Sequence, residues 1–229
     1  MKAKYLSAIF AALALSSTSV PAALTILFSN GSNTANNFVH TVSDLGADPV
    51  TFGTSGGIGA IDATNDSFAV ATAGTIQLTY SAFTTGFNPN TFTGTAPSNS
   101  APFRSNGTGL GINGGGGNQF NATEAFTFTV SLSGFGSGVE LQLTEYEAAS
   151  TPFQLWQETS PGVGTLLASG SNPTGLGLTV EDGGVFAVYL ESGGASRFTS
   201  LTFETIPEPS GLAFLGLGLA ALGARRRRR

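Results

Sequence analysis

The chain has 229 residues, no cysteine, one histidine and one tryptophan, and charged residues make up only 10 % of it, against roughly a quarter in ordinary soluble domains. Its formal net charge of −5 hides an uneven layout: Lys2 and Lys4 open the chain, Arg225 to Arg229 close it, and residues 23–206 hold thirteen acidic side chains against Arg104 and Arg197 alone, a net of −11. That middle repels nucleic acid, the lack of cysteine removes disulfides and thiol chemistry, and one histidine cannot supply a zinc site.

Residues 1–22 read as a secretory signal peptide for the Sec machinery. Lys2 and Lys4 form its positive start, and Tyr5 to Leu15 form an apolar, helical stretch. Val20 and Ala22 are the small residues wanted at positions −3 and −1, which predicts cleavage after Ala22. Ala23 is the alternative, with Pro21 then at the less suitable −3 place. No lysine remains beyond this segment, so Schiff-base chemistry is excluded as well.

Residues 23–204 read as one β domain. Short runs alternate apolar and polar side chains, the mark of half-buried strands. They are "LTILF" at 24–28, "NFVHTVS" at 37–43, "TIQLTY" at 75–80, "EAFTFTVSL" at 124–132, "VELQLT" at 139–144, "FQLW" at 153–156, "VFAVYL" at 185–190 and "RFTSLTF" at 197–203. Clusters of Gly, Asn, Ser and Pro separate them, as strand connections require. No helical period appears between them, and no fixed repeat marks a solenoid. The expected fold is all-β, an antiparallel β-sandwich of jelly-roll-like type. Its expected core is Ile76, Leu78, Phe126, Phe128, Val130, Leu132, Val139, Leu141, Leu143, Val188 and Leu201. Residues 88–119 are rich in Gly, Ser, Thr, Asn and Pro and predict a long loop, with one short strand at 109–112. Gly114 to Gly117 lack the lysine and the strand–turn–helix setting of a phosphate cradle.

Few side chains in the middle offer chemistry. His40 sits in a strand pattern and reads as structural rather than as part of a Ser-His-Asp relay. Glu145 and Glu147 lie two apart on one strand face, and paired carboxylates are the equipment of a glycoside hydrolase. Glu145 shares the parity of Leu141 and Leu143, and Glu124 shares that of Phe126. Either these acids point inward, as weak Ca²⁺ ligands would, or the alternation lapses there through a bulge or a strand end. The acids of "DATND" at 62–66 read as a solvated turn. Trp156, Tyr146 and Phe103 are the aromatics that a carbohydrate-binding face would expose.

The tail, residues 205–229, has three parts. Pro207, Glu208 and Pro209 keep the chain out of helix and strand. Gly211 to Ala224 is a run of fourteen residues without a charge. As a helix it would span about 21 Å, short for a bilayer core of about 30 Å. Arg225, Arg226, Arg227, Arg228 and Arg229 would hold the far end in the cytoplasm. This order of Pro-Glu-Pro, apolar run and arginines resembles the PEP-CTERM sorting signal. The resemblance implies recognition by an exosortase, passage through the inner membrane and loss of the tail near the motif. The stretch "GLGINGGGGNQFNATEAFTFTVSL" at 109–132 also resembles passenger domains that precede such signals, which implies a β-sandwich of unassigned activity.

The expectation is an exported protein of the cell surface or extracellular matrix, without catalysis or cofactor, structural in a biofilm polysaccharide. The alternatives are a lectin-like module, with or without Ca²⁺, and more remotely a glycoside hydrolase.

Overall fold

The computed structural model describes residues 22–28, 32–35, 37–43, 51–61, 74–84, 86–98, 102–112, 119–135 and 139–207. All regular structure in them is strand: β1 (Ala22–Leu27), β2 (Ser32–Ala35), β3 (Phe38–Ser43), β4 (Thr51–Thr54) and β5 (Ala60–Ile61). Then come β6 (Thr75–Phe83), β7 (Phe103–Asn106), β8 (Leu110–Ile112), β9 (Ala125–Ser133) and β10 (Val139–Ala148). The last are β11 (Phe153–Ser160), β12 (Val163–Gly170), β13 (Leu178–Thr179), β14 (Val185–Tyr189) and β15 (Phe198–Pro207).

The strands form two antiparallel sheets packed as a sandwich. One sheet runs β13-β10-β15-β8-β7-β2, with β1 beside β15 and β5 beside β1. The other runs β12-β11-β14-β9-β6-β3-β4. From β6 onward the chain passes repeatedly from one sheet to the other. Only a few hairpins, such as β11–β12, join sequence neighbours.

Alternation accounts for the strands at the centre. Phe126, Phe128 and Val130 of β9 are buried, while Thr127 is half-buried and Thr129 exposed. Ile76, Leu78 and Tyr80 of β6 lie beside them in register. From the opposite sheet come Leu24, Ile26, Leu141, Leu143, Leu201 and Phe203. Aromatic rings fill the middle: Phe126 meets Phe198 edge-on at 5.1 Å, and Phe38 stacks on Tyr80 at 4.3 Å between centroids. Each buried phenylalanine contributes roughly 1.5–3 kcal/mol, so without disulfides this aromatic layer is the main stabiliser. Of the expected core, Leu132 is only partly buried, because it sits where β9 leaves the sandwich. Nothing is described of the Val139 side chain.

Three differences from the sequence reading have local causes. The expected loop at 88–119 contains β7, a polar strand "FRSN" that pairs with β2 and β8. Strand β12, "VGTLLASG", is an edge strand with half of its residues exposed and none fully buried, so its composition reads as turn. The third is the segment after β6. Asn88 and Thr93 bridge, and the Gly164 N–H of β12 donates to the Asn90 carbonyl at 2.8 Å. This segment covers the outer face of the second sheet. There Phe87, Ala125, Ala187 and Tyr189 are buried with Phe83, Phe92 and Trp156 against them. A Cβ on Gly164 would fall 1.8 Å from the Pro89 carbonyl oxygen, so the covering segment fits only over glycine.

Candidate functional site

His40 points into the sandwich from β3, between Phe38 and Val42 on the same face. Its Nε2 lies 2.5 Å from the Ile58 carbonyl oxygen and its Nδ1 3.0 Å from the Tyr80 hydroxyl. A carbonyl only accepts, so Nε2 carries the proton and the Tyr80 O–H donates to Nδ1. The Thr54 hydroxyl donates to the same Ile58 carbonyl at 2.8 Å. Burial lowers the His40 pKa to about 4, and the Ile58 hydrogen bond only partly offsets it. Burial also raises Tyr80 well above the usual phenol value. Both groups are neutral at pH 7, and both ring nitrogens of His40 are engaged. The pair is equipped to hold the β3–β6 face together.

Glu124 is buried just ahead of β9, at 5 % exposure. Its Oε2 accepts from the Asn121 backbone N–H at 2.7 Å and from the Asn121 side-chain amide at 3.4 Å. Its own N–H donates to the Asn121 carbonyl at 3.1 Å. The carboxylate thus closes the turn 121–124, where Thr123 is held at φ 68°. Burial raises the Glu124 pKa, and the bonds from Asn121 oppose that shift. Glu145 behaves differently. The pairing of β10 with β15 slips between Leu143 and Glu145, so Leu143 and Thr144 are both buried and the alternation reverses. This bulge turns Glu145 outward, onto the face it shares with Glu147, and Tyr146 inward. Partial burial raises the Glu145 pKa, helped by the charges of Glu147 and Glu204. Glu124 thus sits in the turn ahead of β9 in one sheet, and Glu145 in β10 of the other. Among the described residues, no three acidic or histidine side chains are grouped to hold a metal.

Two of the three expected surface aromatics are core residues. Phe103 is fully buried, edge-on to Phe38 at 4.8 Å. Tyr146 is fully buried, and its hydroxyl donates to the Phe153 carbonyl at 2.6 Å. The bulge accounts for Tyr146, since simple alternation puts it outside. Trp156 is half-buried on the outer face of the second sheet. Its Nε1–H donates to Gln154 at 2.9 Å, and Gln154 donates in turn to Glu191 at 2.7 Å.

A polar cleft of about 510 Å³ lies between the end of β11 and residues 178–184, lined by Glu158, Glu181 and Asp182 among others. It has no signature in the sequence, because its walls come from segments far apart in the chain. Asp182 accepts from the Leu132 N–H at 2.8 Å and Glu158 from the Gly162 N–H at 2.7 Å, so both acids fasten turns.

Pro207, the first of the expected sorting residues, stands at the end of the last strand. β15 is paired on one side by β10 and on the other by β1, with Ala22 opposite Thr205 and Ala23 opposite Glu204. The strand runs to Pro207, which faces Val139. The expected cleavage residues Ala22 and Ala23 are thus the first two residues of β1, and the passenger strands reach past residue 204 on the other side. Residues 1–21 with their expected signal helix, "DATND", Gly114 to Gly117, Glu208, Pro209, the apolar run and Arg225 to Arg229 lie outside the described residues. Among the described residues no helix is long and apolar enough to cross a membrane.

The fold and the C-terminal segment define a class: a β-sandwich joined directly to a C-terminal sorting segment. That segment is a PEP-CTERM protein-sorting motif, matched over residues 205–228. The motif implies an exported protein, processed by an exosortase and sent through the membrane to the cell surface. No curated protein and no solved structure gives a significant match to the chain.

Proposed function

We propose that this chain is a non-enzymatic structural component of an extracellular polysaccharide matrix. On this reading the Sec machinery exports it, signal peptidase removes residues 1–22, and an exosortase removes the tail at the inner membrane. The observation that supports a structural role is the use of the polar side chains inside the sandwich. His40, Tyr80, Glu124 and Tyr146 each hold two parts of the chain together through fixed hydrogen bonds. The proposed protein needs no cofactor. A melting temperature unmoved by millimolar Ca²⁺ is expected, and a rise would bring back Glu124 or Glu145 as ligands.

Intact-mass measurement of the surface fraction from exosortase-bearing cells tests the reading. The mature chain should lack residues 1–22 and the apolar run. Replacing Pro207, Glu208 and Pro209 together by alanine should leave the tailed form in the inner membrane. A wild-type surface protein that keeps residues 211–229 would make the tail a plain anchor. Loss of the gene should weaken the matrix without loss of any hydrolytic activity.

A second reading, a glycan-binding face, is favoured by the Trp156–Gln154–Glu191 chain of hydrogen bonds on the outer face. An indole with fixed amide and carboxylate neighbours suits a sugar ring. Retention of the purified passenger on the host polysaccharide, lost in Trp156→Ala, would support it; equal retention of both would leave a scaffold.

A further inference from the structure

Residues 23–206 hold two cations, Arg104 and Arg197, against thirteen acids, and the fold brings the two cations together. Arg104 lies on β7 between the buried Phe103 and Ser105, so it faces outward. Arg197 directly precedes the buried Phe198 of β15 and is half-buried. β8 alone separates these two strands, with Gly111 opposite Arg104 and Leu110 opposite Phe198. β7 and β15 are therefore about 10 Å apart. Gly109 and Gly111 put no side chain between the arginines, and a Cβ on Gly109 would come 3.1 Å from that of Arg197. The Arg197 guanidinium donates to the Thr108 hydroxyl at the turn from β7 to β8. Burial lowers the Arg197 pKa, and the nearby Arg104 charge lowers it further.

Further along the same outer face three acids crowd together. Glu145 and Glu147 face outward from β10, and Glu204 stands between the buried Phe203 and Thr205 of β15. Partial burial raises the Glu145 pKa, and the charges of Glu147 and Glu204 add to the shift. Glu145 lies opposite Thr202, five residues on from Arg197 and so about 17 Å along the strand. Salt at about 0.15 M screens charges beyond about 8 Å. The two clusters therefore do little to neutralise each other within one copy. A two-fold axis between them would bring each cluster onto its opposite. A guanidinium has five donors in a planar fork that matches a carboxylate, so one fastened at Thr108 has donors to spare. We propose that this outer face docks a second copy of the chain, with Arg104 and Arg197 of each copy against Glu145, Glu147 and Glu204 of the other.

Charge exchange between copies tests the proposal. The full chain is held in non-ionic detergent at about 0.15 M salt, where net repulsion between whole acidic bodies is largely screened, and its mass is read by sedimentation. Wild type should form a dimer. Arg104→Glu/Arg197→Glu and Glu145→Lys/Glu147→Lys should each be monomeric, with association at least about tenfold weaker and the far-ultraviolet circular dichroism unchanged. Mixed together, the two variants should form a heterodimer, because each then carries what the other lacks. A monomeric wild type overturns the proposal, as does equal association of all samples or a mixture that stays monomeric. If the arginine variant fails to fold, the glutamate variant decides alone, and a dimer of it overturns the proposal. A monomeric wild type retained on polygalacturonate, with the arginine variant not retained, would assign the arginines to an acidic polysaccharide instead.

Discussion

At the residue scale the most informative group is His40. Its pKa is lowered from 6.5 to about 4 because the ring is buried among Phe28, Phe38, Phe52 and Tyr80. Between these values the unfolded chain binds a proton that the native chain refuses. Stability is therefore complete above pH 6.5 and falls as pH drops toward about 4. At about 1.4 kcal/mol per unit, His40 should cost the native state about 2.5 kcal/mol at pH 4.5 relative to pH 7. Glu124 and Glu145 work in the opposite direction, since their raised pKa values favour the native state as pH falls. The His40 contribution is thus read as a difference: urea unfolding of wild type should lose about 2.5 kcal/mol more between pH 7 and 4.5 than His40→Gln does. Gly59 guards the same ring. Its φ is +98°, and a Cβ there would come within 2.4 Å of His40 Nε2. Gly59→Ala should lower stability by more than ~1 kcal/mol, seen as a lower urea midpoint at unchanged slope.

At the element scale the bulge in β10 decides what the strand presents. It admits Thr144 as an extra residue, so that Leu143, Tyr146 and Ala148 all face the core. Tyr146→Phe keeps the ring and loses the bond to the Phe153 carbonyl, which should cost ~1 kcal/mol. Tyr146→Ala should cost about 3–5 kcal/mol through the cavity it leaves. Both are measurable by thermal or urea unfolding. Deletion of Thr144 would remove the extra residue and leave a regular strand with Leu143, Tyr146 and Ala148 still inward and Glu145 still outward. That variant should keep the native near-ultraviolet circular dichroism at 25 °C.

At the scale of the whole molecule, the last strand is an inner one. β15 sits between β10 and β1, the final and first strands meeting in register. During export the sandwich cannot close until the chain has crossed to residue 205 or so, because the core lacks Phe198, Leu201 and Phe203 before then. Such long-range pairing makes folding slow relative to local structure. A chain that ends at Ser196 should remain unfolded, with a flat proton NMR amide region and rapid proteolysis. One that ends at Pro207 should fold with the stability of the full passenger. The same arrangement puts Ala22 and Ala23 beside Thr205 and Glu204, so the start of β1 and the start of the sorting motif lie at one end of one sheet.

Some of this protein was legible from residue order alone. Strands with strict alternation announced themselves, because period two is a local property of a half-buried strand. β6 and β9 are such cases, and their inward residues are the buried ones. The sorting tail was legible too, since Pro-Glu-Pro, an apolar run and terminal arginines act through local chemistry. The pairings were not, because neighbours in the sheets are mostly distant in sequence. The edge strand β12 was not legible because an edge buries too little to demand apolar residues, and β7 was not because its four residues, though paired by β2 and β8, carry one large apolar side chain. Tertiary structure alone decided that Tyr146 and Phe103 are core: a one-residue bulge inverts every side chain of β10 after it and leaves no mark in composition, and Phe103 is buried by the pairing of β7 with β2 and β8, which come from separate stretches of the chain. It also decided that the sorting motif starts within β15, because only the pairing with β1 and β10 carries that strand to Pro207.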